Sequence, residues 1–226
     1  MYADMKKIHN PLLILFIIVL FGSCLKDNNV SQPFAVLNVI NAYTEEPRLT
    51  FALDRNNFHT GDYSTARSFD IAIGNRQFSF RGAAAQNLVD TTFKIEPYTY
   101  YSSFAFGTAA APKVILTKDS VLQDLGAAAA VRLLHLANNV GSVQIYQGDE
   151  VIEDIAPRSQ ETATSVAESQ IFVPVKAGSY TYSVRDQSGN VLATSQNIDL
   201  RAGFHRTLIL LGTQGNTANP LRLASN

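Results

Sequence analysis

Beyond residue 33 the chain alternates between apolar and polar positions with the period of a β-strand. Tyr180, Tyr182 and Val184 fall on one face of an extended segment, and Thr181, Ser183 and Arg185 fall on the other. Phe78 and Phe80 repeat the alternation earlier in the chain. Turn-forming residues stand between such segments: Gln147-Gly148-Asp149, Ala177-Gly178, Ser188-Gly189-Asn190 and Ala202-Gly203. Short strands punctuated every eight to twelve residues or so predict a sandwich or barrel. Thr207 to Leu211 is apolar on both faces, so two layers must cover it.

The segments occur in two sets. Phe34 to Ala42 parallels Ala130 to Ala137, Ile73 to Arg81 parallels Ala177 to Arg185, and Tyr98 to Gly107 parallels Phe204 to Gly212. The spacing between counterparts grows from about 95 to about 104 residues, which places an extra polar loop at Pro157 to Ser169. The expected fold is all-β: two tandem Ig-like or transthyretin-like sandwiches of about seven strands each, with a single fused sheet system as the alternative. They are expected over 34–117 and 130–226, joined by a linker over 118–129. Val114 to Thr117 is expected to close the first sandwich, and Ser120 to Leu125 to form one helical turn.

Residues 1–33 follow a different pattern. Lys6 and Lys7 precede Pro11 to Phe21, a run without a polar side chain. It is about eleven residues long, where a helix needs about twenty to cross a bilayer, and it has the length of a signal-peptide core. It ends in Leu20-Phe21-Gly22-Ser23-Cys24, small residues preceding the single cysteine of the chain. This stretch resembles the lipobox of bacterial lipoproteins, with Phe21 where that motif usually has leucine. The resemblance implies cleavage after Ser23, a leader over 1–23, a lipid on Cys24 and a membrane as partner. The alternative is an ordinary secretory signal with Cys24 a bystander. Lys26 and Asp27, on the tether 24–33, resemble in part the surface-export signal of Bacteroidetes lipoproteins, or serve simply as polar spacer. The expected location is the outer membrane, its outer face ahead of its periplasmic face.

The residues Val131-Arg132-Leu133-Leu134-His135-Leu136-Ala137, Val143-Gln144-Ile145-Tyr146, Val175-Lys176-Ala177-Gly178-Ser179-Tyr180, Arg201-Ala202-Gly203 and Leu211-Gly212 resemble the domain-of-unknown-function family DUF4397. The first copy resembles it more weakly. That family usually has Ser-Pro-Asp where this chain has Asn138-Asn139-Val140. The resemblance implies a sandwich and no chemistry.

Candidate chemistry is sparse. Eighteen Lys and Arg against nineteen Asp and Glu leave no electrostatic footprint for nucleic acid. His135 lies between leucines and reads as a semi-buried structural histidine, while His59 and His205 read as solvated. Glu45, Glu46, Glu150, Glu153 and Asp154 fall at turns. No catalytic set, metal set or cofactor motif is recognisable. Among the aromatics Tyr98, Tyr100, Tyr101, Phe104 and Phe106, the three tyrosines are candidates for stacking on sugar rings, with packing in the sandwich as the alternative. The expectation is a non-enzymatic envelope protein serving adhesion, assembly or spacing with a protein partner. A glycan-binding lipoprotein beside an uptake system and an envelope hydrolase are the alternatives.

Overall fold

The computed structural model describes residues 33–226. The first half comprises β1 (Phe34–Asn41), β2 (Arg48–Leu53), β3 (Asn56–Asp62), β4 (Ala66–Ala72), β5 (Gly74–Arg81), β6 (Asn87–Ile95), β7 (Tyr100–Thr108) and β8 (Ala111–Lys118). The second comprises β9 (Ala128–His135), β10 (Val143–Gln147), β11 (Glu150–Val151), one helical turn α1 (Val166–Ser169), β12 (Val173–Lys176), β13 (Gly178–Tyr180), β14 (Tyr182–Asp186), β15 (Val191–Thr194), β16 (Ile198–Leu200), β17 (His205–Leu211) and β18 (Arg222–Ser225). In the first half the sheets run β4-β1-β7-β8 and β3-β2-β5-β6. In the second they run β12-β9-β17-β18 and β11-β10-β14-β15, and β13 pairs with β16 as a ribbon. Each half has one parallel pair at the centre of one sheet, β1 beside β7 and β9 beside β17.

Side-chain alternation decides how these sheets stack. Ala35, Leu37 and Val39 of β1 pack with Leu49 and Phe51 of β2 and Phe78 and Phe80 of β5. Ala129, Val131 and Leu133 of β9 pack likewise with Val143 and Ile145 of β10 and Tyr182 and Val184 of β14. The remaining faces of the two inner sheets bury each other. Ile40, Phe104, Phe106 and Ile115 meet Leu134, Leu136, Ile209 and Leu211. The result is four sheets around three apolar cores. The inner strands are therefore buried on both faces, continuously from Tyr101 to Gly107 and from Ala129 to His135. The outer strand β10 instead alternates buried with half-buried positions.

Fully burying one such apolar side chain contributes roughly 1.5–3 kcal/mol. Exposing the eight that meet across the middle would therefore cost well over ~10 kcal/mol. Residues 33–226 accordingly form one compact unit. The tandem sandwiches expected from the pattern are present, with eight paired strands in the first and ten in the second rather than about seven in each, and they are welded face to face.

Two glycines hold equivalent places at the ends of β7 and β17. Gly107 has φ +97° and Gly212 φ +99°. A Cβ would come within 2.3 Å of the Ala111 carbonyl oxygen at the first and 2.2 Å of the Pro220 carbonyl oxygen at the second. Only glycine fits where the backbone approaches so closely in that conformation. The helical turn expected at Ser120 to Leu125 is absent. That segment carries Asp124 at φ +58°, followed by Gly126 at φ +57°, and left-handed residues interrupt a helix. The helical turn lies instead within the polar loop, at Val166–Ser169.

Phe104 is fully buried in the core shared by the halves. Phe104→Ala is expected to destabilise the protein by about 3–5 kcal/mol. Because the core is shared, amides of both sandwiches should lose hydrogen-exchange protection together. Loss confined to β1–β8 would show that the halves unfold separately.

Candidate functional site

The aromatic segment divides by strand alternation. Tyr101 is buried at 5% exposure, and its hydroxyl accepts the Glu96 backbone N–H at 3.1 Å. It cannot stack on an external ligand, which corrects its place among the candidates. Phe104 and Phe106 are also buried. Tyr98 and Tyr100, at 76% and 59% exposure, project outward. Phe34, 42% exposed, joins them. The Tyr98 N–H donates to the Phe34 carbonyl at 2.8 Å, and the Val36 N–H to the Thr99 carbonyl at 3.0 Å. Tyr98 has φ +54°, a conformation that bulky residues rarely adopt, held between these two hydrogen bonds. A hollow of about 140 Å³ lies among Phe34, Ala35, Val36, Tyr98, Thr99 and Tyr100, with no amide or carboxylate side chain in its lining.

Next to it is the polar junction of the halves. The Tyr100 carbonyl accepts the Asp119 N–H at 2.8 Å. The Asp119 carboxylate accepts from Ser102 Oγ at 2.6 Å, Thr117 Oγ1 at 2.7 Å and Arg132 Nη2 at 2.7 Å. Arg132, 1% exposed, also donates through Nε to Thr207 Oγ1 at 2.9 Å and through Nη1 to the Gln170 carbonyl at 3.2 Å. Its guanidinium lies 4.5 Å from the Phe172 ring centroid. Burial pushes its pKa down, with Asp119 opposing, yet an arginine starts so high that it stays cationic. This is an ion pair across the seam, and its arginine was visible in the sequence as a lone charge in an apolar strand.

The opposite end of the seam has its own network. Asn138 Nδ2 donates to the Gly107 carbonyl at 2.9 Å, and Gln160 Nε2 donates to Asn138 Oδ1 at 2.9 Å. Lys113 Nζ reaches Gln160 Oε1 at 2.7 Å. His135, expected to be semi-buried, is fully buried. Its Nε2 lies 3.1 Å from the Gly141 carbonyl, while Nδ1 has no partner. Below its strand Glu161, fully buried within the polar loop Pro157 to Ser169, accepts from Ser165 Oγ at 2.6 Å and Ser169 Oγ at 2.8 Å. His59 and His205 are half-buried rather than solvated. His59 lies 5.3 Å from Phe69 between ring centroids, and His205 Nε2 accepts the Leu122 N–H at 2.9 Å.

Glu150, Glu153 and Asp154 line an open groove of about 600 Å³, where Glu150 pairs with Lys176 at 2.7 Å. Among the described residues no three His, Cys, Asp or Glu come together as a metal site. Leu20, Phe21, Gly22, Ser23, Cys24, Lys26 and Asp27 lie outside the described residues.

The model of a domain of unknown function, DUF4397, matches residues 35–146. The match takes in the first sandwich from Ala35 onward and only β9 and most of β10 from the second, so it falls chiefly on the copy that was expected to resemble the family more weakly. Among solved structures, the chain is similar to a DUF3823 family protein from Bacteroides ovatus, at 12% identity and a TM-score of 0.23, over 74% of this chain and 97% of that one. No curated protein matches.

Two predictions follow from the buried polar groups. Asp119→Ala would leave the Arg132 charge buried without its partner, and should cost about 3–5 kcal/mol in denaturant unfolding. The double variant Asp119→Ala with Arg132→Met should recover most of that loss. Failure of the double variant to recover would locate the cost in Asp119's hydroxyl partners instead. The second concerns pH. Burial pushes the His135 pKa down, with backbone hydrogen bonds opposing, so the folded chain binds its proton less readily than the unfolded chain. The stability this ring contributes is present above about pH 6.5 and is lost as pH falls from there toward the folded value, with a slope of up to about 1.4 kcal/mol per pH unit. Asn41 holds the corresponding place in β1. His135→Asn should therefore flatten the acid limb of the stability profile, and an unchanged limb would assign it to other groups.

Proposed function

The chain belongs to the DUF4397 family through residues 35–146, and we propose that it serves as a non-enzymatic, lipid-anchored module of the bacterial cell envelope. The observation that carries this reading is Cys24, the single cysteine, set behind an apolar run and two small residues and ten positions ahead of β1. A thiol in an exported chain with no partner for a disulfide calls for an explanation, and acylation supplies one. Two or three acyl chains, at about 0.8 kcal/mol per buried methylene, make attachment durable.

The architecture supports a display or spacing role. Two polar networks buried in the seam join its sheets: Arg132 with Asp119, and Asn138 with Gly107 and Gln160. A glycan-binding role would want amide or acidic side chains beside the exposed rings, and the hollow among Phe34, Tyr98 and Tyr100 offers none. The anchored module therefore stands ahead of the glycan-binding lipoprotein. The outer face of the outer membrane is the proposed location, on the strength of Lys26 and Asp27.

Cells expressing the protein, fed radioactive palmitate, should yield a labelled band that Cys24→Ala abolishes. Label retained by the variant would overturn the anchor. Protease added to intact cells should remove the protein, and full protection would place it on the periplasmic face.

A further inference from the structure

We propose that the end of the stack bearing Phe34, Tyr98 and Tyr100 seats on the bilayer surface, so that the protein is held in one orientation rather than swinging on its tether. The inference rests on the lipid anchor at Cys24. Of the eight large apolar side chains that stand exposed among the described residues, Phe34, Tyr98 and Tyr100 are bonded into this end, and Val121, Ile171 and Phe204 are chain neighbours of residues linked to it.

The ties can be followed residue by residue. Tyr98 bonds to Phe34 through the backbone, and Tyr100 to Asp119. Val121 lies two residues past Asp119, and the next N–H, that of Leu122, bonds to His205 beside Phe204. His205 packs edge-on against Phe172, at 5.1 Å between centroids, beside Ile171. Both sandwiches and the connection between them thus contribute to one apolar end. Lys118 and Glu96 close on each other at 2.7 Å beside the tyrosines, so these two charges offset each other there.

Chain length selects the occupant. Phe34 lies ten positions beyond Cys24, with nine residues between them. Ten steps of chain span at most about 35 Å. Since β1 starts within the patch, this end is the part of the described structure that the tether joins directly. Such a tether gives a weak surface a high effective concentration. Tyrosine and phenylalanine suit the headgroup boundary, where a ring can be buried while a hydroxyl stays wet. The Tyr98 backbone is held in its left-handed conformation by two flanking hydrogen bonds, so little backbone freedom is lost on seating.

The chain has no tryptophan, so a single introduced indole reports its own surroundings. The full lipidated protein carrying Tyr98→Trp would be reconstituted on phosphatidylethanolamine–phosphatidylglycerol vesicles, with and without lipids brominated near the headgroup. Tyr100→Trp repeats the reading from a position with ordinary backbone. Thr217→Trp reports from the exposed loop after β17, at the other end of the stack. For Tyr98→Trp and Tyr100→Trp the emission should move to shorter wavelength and fall by about half with brominated lipid, as for rings seated about 5–10 Å into the interface. Thr217→Trp should do neither.

Emission unmoved at both tyrosine positions, with the protein still floating with vesicles, would overturn the seating and leave the anchor intact. Failure to float, with Cys24→Ala behaving the same, would overturn the anchor and the seating together. A shift that ignores bromine but grows with protein concentration would assign the patch to a second copy. A shift produced by soluble oligosaccharide alone would assign it to a glycan. Either of these results would overturn the seating.

Discussion

β7 carries Tyr101 and Ala105 on one face and Phe104 and Phe106 on the other, and all four are buried. β17 does the same with Leu208 and Leu210 against Ile209 and Leu211. A strand of this kind cannot lie in a two-layer sandwich with one face in water without exposing large apolar side chains. It needs cover on both sides, and each half of the chain supplies only one covering sheet of its own. The second cover for each inner sheet is the inner sheet of the other half. Four layers are thus the smallest arrangement that satisfies both halves, and the other features of the fold are arranged around that seam.

Apolar contact alone would let two flat faces slide. Polar networks at each end of the seam fix their alignment, because a buried donor or acceptor without a partner is costly. At one end Asp119 gathers Ser102, Thr117 and Arg132, and Arg132 reaches on to Thr207. At the other, Asn138 joins Gly107, Thr44 and Gln160. Ser102 and Thr207 occupy matching places on β7 and β17, opposite Asn38 and Arg132 respectively. Where one sandwich has Asn38 with Ser102 and Ser68, the other has an arginine, and that arginine makes the bridge.

Much of this could be read from sequence, for an identifiable reason. Strand alternation and turn residues are local properties, so the all-β class and the double-faced inner strands were evident from residues such as Thr207 to Leu211. What covers the second face is a long-range matter, and periodicity carries no information about it. The same limit explains Glu161. In a polar loop it looks solvated, but α1 brings Ser165 and Ser169 to its carboxylate and closes it from water. Phe34 escaped notice because its exposure depends on lying beside Tyr98, whose parallel neighbour strand is some sixty residues away in the chain. The split of Tyr100 from Tyr101 was legible as opposite faces, but which face met water required the sheet order.

The fusion of the halves changes what a single attachment point can do. Two sandwiches on a flexible hinge would leave the second free to move whatever the first touched. Here the seam is buried and pinned at both ends, so a constraint applied near Phe34 is carried to the far end of both inner sheets. At about 3.3 Å per residue, the eight residues of β1 run about 25 Å from the aromatic end to the turn before Thr44. That turn meets the loop of Asn138 and the exposed loop of Gln214 to Ala218, through Thr44 with Thr213 and through Asn219 with the Thr44 carbonyl. These loops come from both halves and are held in one place by the same network that aligns the seam. With the aromatic end against a surface, they form the face turned away from it, and partners arriving from outside would meet it first.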